Sequence, residues 1–105
     1  MSPDRVDAFV LDFVAFSNGK ILSDERHALG VEIGRPNDNF RRVRIASDFG
    51  DVVAMVTDGH LPFPYGHEIT GYEVASLSDT LEKARTAGAK LLIEPYLVDG
   101  RRQIT

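Results

Sequence analysis

The stretch SLSDTLEKARTAG, residues 76–88, reads as one short helix with both ends marked. Ser76 offers a side-chain oxygen to the first turn, and Asp79 stands three positions on, in the arrangement of a capping box. Leu77, Leu81, Ala84 and Gly88 recur at spacings of four, three and four, which line one helical face. Glu82, Lys83 and Arg85 cover the other side, and Gly88 suits the left-handed position that closes a helix.

Working outward, an apolar segment precedes this helix, Ile69 to Val74, and another follows it, Lys90 to Ile93. A similar order is legible 58 positions earlier. There Asn18 to Gly30 reads as an amphipathic helix with Ile21, Leu22, Ala28 and Leu29 on its apolar face. Gly19 is a weak residue for a first turn, so a loop through Asn18-Gly19 with a shorter helix after Ser23 stays open. Phe9 to Phe16 and Val31 to Ile33 flank this region as expected strands. An arginine pair opens a further strand in each copy, Arg41-Arg42 before Val43 and Arg101-Arg102 before Gln103. In the first copy a turn at 48–51 and a strand from Val52 to Thr57 follow, whereas the second copy reaches Thr105 first. A repeat of this length is a supersecondary unit that buries its apolar face against its neighbour. The expectation is one α+β domain over residues 1–105: a βαβββ module at 1–58, a linker at 59–67 and an incomplete βαββ module at 68–105. The loop 35–39 is expected to separate two strands of the first module.

Composition narrows the function classes. The chain has 105 residues, 43% of them hydrophobic and 27% charged, in the ordinary globular range. A net charge of -4 speaks against a nucleic-acid partner, which wants a basic field. The absence of cysteine excludes disulfides, thiol nucleophiles and thiolate-bound metals. No apolar run reaches the ~18 residues of a membrane span, and residues 1–5 lack the pattern of a secretory signal, so a cytoplasmic protein is expected.

The order strand, helix, strand, strand, strand, repeated, resembles the vicinal oxygen chelate superfamily of glyoxalases, bleomycin-resistance proteins and extradiol dioxygenases. The residues carrying the resemblance are Ile69 to Val74, the helix and exit from Ser76 to Lys90, and Glu94-Pro95-Tyr96, with a thinner match at Leu29 to Glu32 and 48–53. The resemblance implies modules whose mixed sheets curl into a cleft, with helices on the outer face. It also implies metal-ligand positions, which fall here on Leu11 (or Val10), Ala54 and Ile69. Aliphatic side chains offer a cation no lone pair. No metal or other cofactor is therefore expected, and the leading reading is a metal-free protein that binds a small organic molecule.

The residues proposed to contact that ligand are Arg42, Arg44, Phe63, Tyr65 and Tyr96. Arg42 and Arg44 alternate with Val43 and Ile45, so both guanidinium groups face away from the side that packs under a helix. They could grip a carboxylate or phosphate, or simply pair with Glu32, Asp48 or Asp51. Phe63, Tyr65 and Tyr96 could border the cleft, while Phe9, Phe13 and Met55 could fill it. The alternative function is an enzyme of the same fold using His60, His67 or Asp12 as ligand or base. His27 reads as a surface residue. Without the last strand, either Ile104-Thr105 or another strand at that edge carries unpaired backbone groups. Two readings stay open: a homodimer with strand or module exchange, which is the expectation, or a fragment of a longer chain.

Overall fold

The computed structural model describes residues 1–61, 69–98 and 100–105. The chain divides into two compact units, Met1–Ile69 and Thr70–Thr105, and is of mixed α and β structure.

The first unit begins with helix α1 (Val6–Ser17), followed by an antiparallel meander of β1 (Lys20–Gly30), β2 (Arg35–Ala46) and β3 (Val52–Met55). Two segments thus exchange their expected identities. Phe9 to Phe16, expected as a strand, lies in α1. A short apolar run does not by itself distinguish strand from helix, and here the three-to-four spacing of Val6, Val10, Phe13 and Ser17 decides it. Val6 and Val10 are buried, with Phe9, Phe13 and Val14 packed beside them. Asn18 to Gly30, expected as a helix, is almost wholly β1. Its ladder to β2 includes Ile21 opposite Ile45 and Glu25 opposite Arg42. Tertiary pairing outweighs the weak local helix preference of this segment. Three register shifts interrupt the ladder, so Ala28 and Gly30 are buried while Leu22 and Leu29 face solvent. Helices therefore occur in both halves, but not 58 positions apart.

The polar run at 35–39, expected as a loop, starts β2, and Val31–Ile33 forms a 3₁₀ turn instead of a strand. The turn before β3 is as expected. Ser47 Oγ accepts from the Phe49 N–H and donates to the Gly50 carbonyl. At the far edge, the N-terminal ammonium donates to Met55 O and the Thr57 N–H donates to Met1 O.

One face of the sheet carries the core. Val43, Ile45 and Ala54 pack under Val6 and Val10 of α1, with the stacked rings of Phe9 and Phe13 alongside at 5.7 Å. Phe9 and Phe13 thus fill the space under the helix, not a ligand cleft. Val43 lies directly opposite Ala54 and Ile45 opposite Val52, and opposed residues share a face. Arg42, Arg44, Val53 and Met55 consequently project from the other face.

The second unit holds α2 (Leu77–Thr86), β4 (Tyr96–Val98) and β5 (Arg101–Gln103). Ser76 caps α2 as expected, its Oγ accepting from the Asp79 N–H at 3.3 Å, and Gly88 takes φ +90°. Ile69 to Val74 forms no hydrogen-bonded strand. Leu92 and Ile93 donate their N–H groups to Thr105 O, so the C-terminal residue, expected to be an unpaired edge, has backbone partners. None of the described residues from 70 onward is buried.

Candidate functional site

Arg42 and Arg44 stand on β2 as the alternation requires, on the sheet face opposite α1. Both meet carboxylates. The Arg42 side chain is only 5% exposed and lies between Glu25 on β1 and Glu32 in the 3₁₀ turn. Its Nη1 is 3.4 Å from Glu25 Oε1, and its Nε is 3.2 Å from Glu32 Oε1. Glu25 is brought there by its cross-strand pairing with Arg42, and Glu32 by the turn folding back on β2. Arg44, 20% exposed, donates from Nη2 to Asp51 Oδ2 at 2.9 Å, beside Val53. Among the described residues, two arginines and three carboxylates meet here, with a formal charge of -1. An anion meets less attraction here than two unshielded guanidinium groups would supply.

Sequence reading missed Arg41. Its Nε and Nη2 grip both oxygens of Asp24 at 3.0 and 2.9 Å, and Nη2 also reaches Asp7 Oδ1 on α1 at 2.8 Å. This fork joins helix, β1 and β2. The signal was available in the alternation, because Arg41 shares its face with Val43 and Ile45. Hydrogen bonds from Arg41 hold the Asp24 carboxyl below the usual range, against a smaller upward push from burial. The same bonds, chiefly to Asp24, raise the already high affinity of the guanidinium for its proton.

Tyr96 belongs to the second unit. Its hydroxyl donates to Gln103 Oε1 across the β4–β5 ladder at 3.3 Å and lies 3.4 Å from Thr105 Oγ1. Phe63, Tyr65 and His67 lie outside the described residues.

The positions that the resemblance assigned to metal ligands do not converge. Leu11 is 71% exposed on α1, Val10 and Ala54 lie in the core beneath α1, and Ile69 is half-exposed. Among the described residues, no group of three His, Cys, Asp or Glu side chains is placed to hold a metal ion. Asp12 is exposed on α1, so the strand alternation that left it as an alternative ligand does not apply. His60 is exposed, with its backbone N–H donated to Asp58 Oδ1 at 2.9 Å and its Nδ1 3.6 Å from the same oxygen. That N–H lowers the Asp58 pKa. His27 is exposed on β1.

An open depression of about 340 Å³ lies near the β2 start, with Pro3, Arg35, Phe40 and Asp58 among its lining. Another, of about 530 Å³, follows the polar side of α2 at Asp79, Glu82, Lys83 and Thr86. Neither is lined by Arg42, Arg44 or Tyr96. No helix among the described residues is long and apolar enough to cross a membrane. No protein-family model, curated protein or solved structure matches the chain.

Proposed function

We propose that the chain is a metal-free binder of a small organic molecule, similar in type to the bleomycin-resistance branch of the vicinal oxygen chelate superfamily. One observation carries this reading. Among the described residues of the first unit, α1 covers one face of the meander, and the opposite face carries Arg44 beside the half-exposed Val53. A partly apolar, arginine-bearing sheet face opposite the helix supplies one wall of such a ligand site, with a charged group to fix the ligand's orientation. Arg44 supplies the polar contact. Arg42, enclosed by Glu25 and Glu32, holds the wall rigid. A second copy of the chain completes the cleft in a homodimer.

The test is a thermal-melt panel of neutral and carboxylate-bearing aromatic compounds, run on the wild type and on Arg44→Gln. A ligand that binds only the native state raises its stability by about 2.7 kcal/mol at 100 times Kd. Carboxylate-bearing compounds should raise the Tm of the wild type and lose most of that effect in Arg44→Gln, while neutral ones keep it. A panel that leaves the wild-type melt unmoved at millimolar concentration defeats the proposal.

A further inference from the structure

The joint between α1 and β1 is built from an Asn-Gly pair that the fold itself demands. Asn18 is the one non-glycine residue at positive φ among those described, with φ 52° and ψ 39°, closing α1 in the left-handed conformation. Asn tolerates that conformation better than most residues. Gly19 is required for another reason. A Cβ there would meet Ser17 Oγ at 2.8 Å, Ala46 O at 3.0 Å and Ile45 Cγ2 at 3.2 Å. Folding therefore places an exposed asparagine directly before a glycine, the pairing least hindered for ring closure by the following backbone nitrogen.

We infer that Asn18 is a deamidation site gated by the α1–β1 joint, converting only when that joint opens. The step begins when the Gly19 backbone nitrogen loses its proton to solvent base and attacks Asn18 Cγ. An N–Cγ bond forms, the Cγ–Nδ2 bond breaks, and ammonia leaves with the proton returned from solvent. Water then opens the succinimide at either carbonyl, leaving an aspartyl or an isoaspartyl residue at position 18. One water is consumed and one ammonia released, with no change of oxidation state.

The closed joint opposes the first step in two ways. The Gly19 N–H is donated to Val14 O at 3.0 Å, which keeps its proton in place. The surroundings of Gly19 are also crowded: Ser17 is buried with its Oγ donating to Phe13 O at 2.6 Å, and the space beside the Gly19 Cα is bounded by Ser17 Oγ, Ala46 O and Ile45 Cγ2. Rotation of Gly19 N toward Cγ requires these neighbours to move. Local openings of this kind have their own equilibrium, well short of global unfolding. Conversion also prevents reclosing. The isoaspartyl link adds a backbone carbon between position 18 and Gly19, so the N–H no longer reaches Val14 O in the same geometry.

The experiment incubates the wild-type chain at pH 8 and 37 °C across a urea series. Peptide mapping follows the mass gain of about 1 Da at position 18, and circular dichroism follows helix content. Conversion in buffer should be at least ~10-fold slower than in the fully denatured chain, and should begin to rise at urea concentrations below those at which helix content is lost. Isoaspartyl-enriched protein should lose amide-exchange protection at Gly19, whereas Asn18→Asp, which keeps the backbone length, should retain it. Equal rates with and without urea, or no conversion in the denatured chain, overturn the gating. Unchanged protection of Gly19 in the isoaspartyl form overturns the failure to reclose.

Discussion

Arg41 and Ile45 show two different ways in which single side chains on β2 secure α1. The Arg41 fork is electrostatic, so its value depends on pH. With its carboxyl lowered in the folded chain, Asp24 contributes stability that is fully present above the unfolded carboxylate value of about 3.9. That contribution fades as pH drops below about 4 and is gone once pH passes beneath the folded value. Asp24→Asn should accordingly be less stable than wild type at pH 7, with the gap narrowing as pH falls below about 4 in acid titrations of urea stability. A constant gap between them across that range would refute this role. Ile45 acts by packing alone. It is fully buried beneath Val6 and Val10, so Ile45→Ala should cost about 2–5 kcal/mol and Ile45→Val about 0.5–1.5 in urea unfolding.

At the scale of elements, α2 was readable because its sequence signals are local. The Ser76 cap, the apolar spacing and the terminal Gly88 all lie within thirteen residues, and all are realised. Because no described residue of α2 is buried, packing does little to compensate for a lost cap. Ser76→Ala should cost about 1 kcal/mol and show as fraying of the first turn, visible as faster amide exchange at Thr80 and Leu81. The first half was misread because α1 and β1 are decided non-locally. Phe9 to Phe16 is apolar enough for either structure, and Asn18-Gly19 suits the end of one helix as well as the start of another. What distinguishes them is the pairing of β1 with β2 over more than twenty intervening positions at its outer end, which no local window contains. Within the site, the strand alternation correctly separated Arg42 and Arg44 from Val43 and Ile45. The partners of Arg42 were only half legible. Glu32 was anticipated, but Glu25 becomes a partner only once its segment is a strand.

For the whole chain, the contrast between the two units sets an expectation for local stability. The first has fully buried side chains on both α1 and β2, whereas the described residues from 70 onward have none. Protection from hydrogen exchange follows buried contact, so amides of Val43 and Ile45 should exchange at the rate of global unfolding. Those of α2 should exchange far faster, through local opening. The proposed homodimer adds a condition to this pattern. A helix face of Leu77, Leu81 and Ala84 that a second copy covers gains stability by mass action, and therefore with protein concentration. Exchange at Leu81 and Ala84 measured at micromolar and at near-millimolar chain should slow with concentration, while exchange at Ile45 changes much less. Light scattering at the same concentrations should report a matching rise in mass. Slow, concentration-independent exchange throughout α2 would mean that this helix draws its stability from within one chain and that no second copy covers it.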